Sequence, residues 1–333
     1  MATVYVTSRE GGVGKTAVCA ALGKHLISDG KKTGFFKPIL GGNKPAGADP
    51  DATFMKQLLG LKEAAETLCP FLGGEGNVAS RISQSLSHIA PGKDVILAEG
   101  VNGQPSPEVA KALGARVIIV EAYSPGLPRE ELVAAAKSFG EQLLGVVINR
   151  VPVSQAERVR AEAPAWFSSA GISLLGVLPE DRALASLTIG ELAEQVRGEI
   201  VNNPEKSPEL AENVMLGALT VDSGLLYFGR KPNKVAVLRS DRPDMHLAAL
   251  ETSTRALVIS GGTELIPSVR HRAEDKGIPL ILTSEDVPSI VALIEDALAK
   301  VRFNQESKVP RMSQIMAEHF AWGKLYQALG LAS

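Results

Sequence analysis

Cysteine is almost absent from this chain: Cys19 and Cys69 are the only two in 333 residues. Two isolated thiols build no disulfide framework; they suit a reducing compartment and burial as small hydrophobes. The five histidines, His25, His88, His246, His271 and His319, fall at no metal-ligand spacing, which excludes a zinc site built on histidine and cysteine. Net charge is only −2, so no whole-molecule field draws the chain to nucleic acid or an anionic membrane. No apolar run approaches the ~20 residues of a bilayer span, and no signal-peptide pattern precedes the first strand. Internal repeats and low-complexity stretches are also missing. These absences predict a cytoplasmic protein with neither a nucleic-acid nor a membrane partner.

What is present is an alternation. The chain is 45 % hydrophobic and 22 % charged, and it is long enough for two domains with separate cores. Strand-like apolar runs lie at 3–7, 32–39, 95–100, 115–122, 143–151 and 174–180, with helix-like stretches at 15–30, 128–140 and 154–171 between them. The runs are continuous rather than alternating, as strands covered on both faces require. The fold class predicted is α/β: a mostly parallel sheet with helices on both faces over residues 1–182. A smaller α/β unit follows over 185–303, with apolar runs at 213–219, 234–240, 256–262 and 278–284. The stretch 191–201 reads as a helix. A C-terminal helical tail, 304–333, spaces Met312, Ile315, Met316, Phe320 and Leu325 in an apolar stripe suited to docking on its own core. Residues 1–182 and the smaller unit are each expected to fold alone.

The sharpest local signal is SREGGVGKT, Ser8 to Thr16, straight after the first strand. A loop that leaves a strand and opens a helix aims backbone N–H groups and the positive helix end at one point, which binds phosphate. Gly11, Gly12 and Gly14 admit backbone positions closed to other residues. Lys15 can reach the β- and γ-phosphates, and the Thr16 hydroxyl can ligate Mg²⁺. Arg9, however, stands where the pattern G-x-x-x-x-G-K-[ST] has its first glycine.

The loop resembles that of the dethiobiotin synthetases, G-T-D-T-x-V-G-K-T, with an acid at Glu10 and V-G-K-T at Val13 to Thr16. ParA- and MinD-like ATPases carry a lysine where this chain has Glu10, so the resemblance to them is weaker. Four further segments resemble dethiobiotin synthetases in order: FFKPI (35–39), ADPDA (48–52), VILAEGVNG (95–103), and VVINRV with LGVLPE (146–151, 175–180). The resemblance implies a P-loop fold using ATP and Mg²⁺. It places Lys15 and Lys37 at the transferred phosphate, Thr16, Asp51 and Glu99 at the metal, and Gly11, Gly12, Val13, Gly14, Asn149 and Pro179 around the nucleotide. The residues alone leave other readings open: Asp51 as a helix cap, Glu99 paired to Lys15 or Lys37, Asn149 as a turn residue.

Hydroxyl-bearing substrate positions of that family fall on Gly11, Gly12 and Gly41, which argues against dethiobiotin synthesis. Residues 235–262 resemble the DRTGG domain, with Asp241 and Arg242 at one strand end and Gly261 and Gly262 at the next, a candidate pocket for a small ligand or an Asp–Arg pair fixing a loop. The two-domain order resembles the amino-terminal, non-catalytic half of long phosphotransacetylases. The resemblance implies an oligomeric ATP- and Mg²⁺-binding protein in which nucleotide state is coupled to a metabolite or protein partner on the DRTGG domain, with slow hydrolysis and no acetyl transfer by this polypeptide alone. The alternative is an ATP-dependent enzyme activating a small carboxylate.

Overall fold

The computed structural model describes residues 1–39, 49–72, 77–101, 105–217, 224–262 and 265–331. Gly41, Ala48, Asn102 and Gly103 lie outside them. The chain divides into two compact units, residues 1–180 with 303–333, and residues 181–302.

The first unit is built on six strands: β1 (Ala2–Thr7), β2 (Thr33–Phe36), β3 (Val95–Glu99), β4 (Arg116–Ala122), β5 (Leu143–Val151) and β6 (Leu174–Pro179). They form one sheet in the order β2-β3-β1-β4-β5-β6, parallel throughout. Each strand lies buried along nearly its whole length, the pattern of a sheet covered on both faces. The helices between strands are α1 (Lys15–Ser28), α2 (Pro50–Leu58), α3 (Ala65–Leu68), α4 (Val78–Ile89), α5 (Pro107–Leu113), α6 (Arg129–Lys137) and α7 (Val153–Ser168). Asp49, Asn77 and Ser106 cap α2, α4 and α5 through side-chain oxygens that accept backbone N–H groups.

The second unit carries β7 (Leu187–Thr188), α8 (Ile189–Gln195), β8 (Glu199–Ile200), β9 (Leu210–Ala211), β10 (Asn213–Leu216), α9 (Gly224–Phe228), β11 (Lys234–Arg239), α10 (Pro243–Leu250), β12 (Thr254–Ser260), α11 (Pro267–Asp275), β13 (Leu280–Thr283) and α12 (Val287–Ala299). Its main sheet runs β10-β11-β12-β13-β8, parallel except for the antiparallel edge strand β8. Alternation along β11 divides the core: Val235 and Val237 enter one apolar cluster with Leu192 and Ile294, Ala236 and Leu238 the other with Met245 and Val269. The helix expected over 191–201 is corrected here. It stops at Gln195, Arg197 turns left-handed (φ 52°), and the chain becomes β8. Gly198 permits this, since a Cβ there would meet Ile281 at 2.6 Å.

The C-terminal segment is two helices rather than one: α13 (Val309–His319) and α14 (Trp322–Leu329). Phe320 is extended between them and bridges Gly176 of β6, and Ala321 donates its N–H to Leu175 O at 2.7 Å. A Cβ on Gly176 would stand 2.8 Å from His319 O, so only glycine lets α13 end there. Met312, Ile315, Met316, Leu325 and Tyr326 are buried, α13 packs against α1, and Trp322 stacks on His25 with ring centroids 3.6 Å apart. Residues 304–333 thus complete the first unit. Among the described residues no helix is long and apolar enough to cross a membrane.

Candidate nucleotide site

β1 lies between β3 and β4, and residues 8–14 turn from its C-terminal end into α1. Gly12 and Gly14 are left-handed, at φ 71° and 99°, and a Cβ on Gly14 would collide with the Asn149 side chain. Gly14 is also the N-cap of α1 and supplies no side-chain cap, so the helix's first N–H groups point to the loop. Lys15 is buried and folds back over the loop, its Nζ donating to Ser8 Oγ at 2.9 Å. Burial pulls its pKa below the ordinary lysine value, while the nearby Glu99 works the other way.

Glu99 ends β3 and is 2 % exposed. Its Oε1 accepts from Thr16 Oγ1 at 2.9 Å; its Oε2 is buried with no hydrogen-bond partner. Lys37, just past β2, stands 3.5 Å from Glu99 Oε1, donates to Asp49 Oδ1 at 3.1 Å and also hydrogen-bonds Asp51. The cap on α2 is Asp49, which accepts from Asp51 N at 2.9 Å. That leaves the Asp51 carboxylate free of capping and turned to Lys37. Burial alone would lower the Lys37 pKa, but Glu99 and Asp51 outweigh it and hold the ammonium charged. Burial pushes the Glu99 carboxyl above the usual carboxylate range.

Among the described residues no group of three or more His, Cys, Asp or Glu is arranged to hold a metal ion; the acids here surround an ammonium. Mg²⁺ asks for less, since it keeps several waters and binds through one or two carboxylates plus phosphate oxygens. The orphaned Glu99 oxygen beside the Thr16 hydroxyl fits that requirement.

Asn149 lies at the end of β5, where pairing with β6 shifts register between Ile148 and Val151. Its Nδ2 donates to Val13 O at 2.8 Å, tying β5 to the phosphate loop. Pro179 ends β6 opposite Val151. Lys15, Thr16, Lys37, Asp51, Glu99 and Asn149 therefore converge on the C-terminal edge of one sheet, with Pro179 at its far side. Sequence reasoning missed three residues of this cluster. Asp49 was signalled by D-P-D, an acid before a helix-starting proline. Ser8 holds Lys15. Glu121 is an acid ending the apolar run VIIVE just as Glu99 ends VILAE, and it is 3 % exposed beside Arg9.

In the second unit Arg239 of β11 pairs with Ser260 of β12, which brings Asp241 and Arg242 to the same sheet edge as Gly261 and Gly262. The ion pairs are offset from expectation: Arg239 bonds Asp241, and Arg242 bonds Asp244 at 2.9 Å. Gly261 and Gly262 are both left-handed, at φ 93° and 57°, beside Ser240 and Ser284 respectively. His246, buried on α10, bonds Arg239 O through Nε2 at 2.9 Å.

This architecture agrees with comparison to known proteins. Residues 2–188 match the AAA domain family and residues 191–297 the DRTGG domain. The chain belongs to the AAA domain family, in its dethiobiotin synthetase-like P-loop branch, and carries a DRTGG domain. It is 21 % identical over 366 residues to phosphate acetyltransferase of Nitrosomonas europaea, a match covering 99 % of this chain and 52 % of that protein. To the ATP-dependent dethiobiotin synthetase BioD of Bacillus thuringiensis it is 26 % identical over 203 residues, 54 % of this chain and 84 % of BioD. The chain spans about half the length of the phosphate acetyltransferases it matches. Among solved structures, the MinC:MinD complex of Aquifex aeolicus is similar to 55 % of this chain and 83 % of its own, at 17 % identity and TM-score 0.40.

Proposed function

We propose that this protein binds ATP with Mg²⁺ at the first unit and couples the nucleotide state to a ligand or partner on the DRTGG unit. The observation that carries the reading is the contrast within one site. The phosphate end is complete: a left-handed glycine loop, a buried Lys15 and a Thr16–Glu99 contact at the helix start. The substrate end has glycine at positions 11 and 12, with no hydroxyl to orient a carbamate.

In this reading Lys15 leaves Ser8 to bind the β- and γ-phosphates, and backbone N–H groups of the loop take the remaining oxygens. Thr16, Glu99 and Asp51 would hold Mg²⁺, which neutralises phosphate charge when bound. Lys37 gives up Asp51 and turns its charge to the terminal phosphate. Asn149 and Pro179 border the base. Asp241, Arg242, Gly261 and Gly262 form the ligand site of the DRTGG unit, and the assembly is homo-oligomeric. Central metabolism of acetyl-CoA and acetyl phosphate is the setting, because phosphate acetyltransferases align with nearly the whole chain.

The poised Lys37 favours a second reading, phosphoryl transfer to a small carboxylate. One experiment separates the two. ATP affinity is measured by calorimetry with and without acetyl phosphate, acetyl-CoA, acetate and pyruvate, while ADP release is followed. The coupled reading predicts slow turnover and a metabolite that shifts ATP affinity, with ATP shifting that metabolite's affinity by the same factor. Asp241→Ala with Arg242→Ala removes the shift and spares ATP binding. Rapid ADP release with a stoichiometric acyl phosphate would establish the enzyme instead.

A further inference from the structure

We propose that Arg9 senses the terminal phosphate: Glu121 and Glu131 hold it beside the loop, and a nucleoside triphosphate draws it onto the γ-phosphate. The inference rests on the nucleotide reading above and adds a residue that reading does not use. Arg9 belongs to the loop itself, one residue beyond the Ser8 that holds Lys15, and replaces the glycine of the phosphate-loop pattern.

Its guanidinium makes two unequal contacts. One is a hydrogen bond to Glu131 on α6, whose side chain is 70 % exposed. A solvated acid holds an arginine weakly. The other is to Glu121 near the end of β4. Thr7 of β1 pairs with Ile119, so Glu121 stands two residues past the end of β1, beside the loop. Arg9 Nη1 lies 3.6 Å from Glu121 Oε1, and each side of this pair keeps a buried atom with no hydrogen bond: Nη1 itself and Glu121 Oε2.

An ion pair that is desolvated yet short of hydrogen bonds recovers little of its desolvation cost. A phosphate can give a guanidinium two short, charge-assisted hydrogen bonds, which Glu121 at 3.6 Å does not make. The loop brings the terminal phosphate close to Arg9 only when a third phosphate is present. Arg9 therefore discriminates triphosphate from diphosphate, and Glu131 and Glu121 set how strongly it does so. Burial raises the Glu121 pKa and Arg9 opposes it, while Glu10, next to Arg9 in the chain, adds a third carboxylate on this side of the loop and with Glu131 raises it further. The acids make Arg9 the sole cation among these four side chains.

The test is calorimetric titration of the full chain with Mg²⁺ and either ATP or ADP, in wild type, Arg9→Ala, Arg9→Lys, Glu131→Gln and the double variant Arg9→Ala/Glu131→Gln. Arg9→Ala should weaken ATP binding about 10- to 100-fold, the range of a charge-assisted hydrogen bond, and leave ADP within about twofold. Arg9→Lys should recover part of the loss. Glu131→Gln should tighten ATP by about two- to fivefold, and that gain should vanish when Arg9 is alanine. Equal losses for ATP and ADP in Arg9→Ala, or a Glu131→Gln effect that persists without Arg9, would overturn the sensor and leave a structural ion pair. Wild type that binds neither nucleotide would overturn the underlying site as well. Circular dichroism melts of each variant separate loss of binding from loss of fold.

Discussion

At the scale of single residues, two side chains make the site's chemistry measurable. Glu99→Gln keeps the acceptor for the Thr16 hydroxyl but removes the charge facing Lys37 and the proposed metal. Asp51→Asn likewise removes charge without removing a helix cap, because Asp49 holds that role. Either amide should weaken Mg²⁺-ATP binding about tenfold or more while metal-free ADP binding changes little. Parallel titrations in Mg²⁺ and in EDTA check this; equal losses in both would make the acids structural. A third residue tests electrostatics in the other unit. Lys234 is fully buried, bonds neutral groups (Thr252 Oγ1 at 2.8 Å, Ser253 O at 3.0 Å), and desolvation lowers its pKa to about 8. Between about 8 and the ordinary value of 10.5 the unfolded chain binds more protons than the folded one. Stability should therefore rise with pH across that window and show no Lys234 contribution to its slope below it. Lys234→Met should remove that alkaline rise in urea-unfolding curves taken from pH 7 to 10.

At the scale of elements, α13 and α14 are where structure departs most from the domain division expected of the sequence. Their apolar stripe was legible, with Met312, Ile315, Met316 and Leu325 at helical spacing. What covers them was not, because nothing local in α1 or β6 announces a docking partner from the far end of the chain. Six buried side chains (Val309, Met312, Ile315, Met316, Leu325 and Tyr326) at roughly 1.5–3 kcal/mol each of gross transfer energy rival a whole domain's net stability of about 5–15 kcal/mol. Contrary to the expectation that residues 1–182 fold alone, a chain ending at residue 302 should lose the cooperative melt of its first unit and aggregate, as followed by circular dichroism and light scattering. Trp322→Ala, which removes the stack on His25 and the indole N–H bond to Met316 O at 3.1 Å, should cost about 2 kcal/mol. The strands were the most readable elements, since continuous buried runs such as VILAE and VIIVEA have no other use in a two-sided sheet. The phosphate loop was equally plain from its position between strand and helix. β8 was hidden because a two-residue edge strand carries no periodicity, and only the Arg197–Gly198 turn marks it. Lys37's partners were partly legible: Asp51 and Glu99 follow from motif order, and D-P-D signals Asp49 as an acid before a helix-starting proline, whereas the pairing of Glu121 with Arg9 emerges only when β1 and β4 are brought side by side.

At the scale of the whole molecule, the DRTGG unit is inserted between β6 and the C-terminal helices that complete the first unit. Both of its chain connections therefore lead into the first unit, and α13 packs on α1, the helix that opens from the glycine loop. This covalent route suits a protein whose two sites report on each other, and reciprocity requires that any metabolite favouring the ATP state be favoured by ATP in turn. Everything in that account depends on residues 8–16 binding triphosphate through Lys15. The most direct measurement is calorimetric titration of Mg²⁺-ATP into the full chain and into Lys15→Ala. One ATP should bind per chain in wild type, and the variant should lose at least about tenfold in affinity with an unchanged melting curve. Indistinguishable isotherms for the two proteins, or no binding by the wild type, would contradict it.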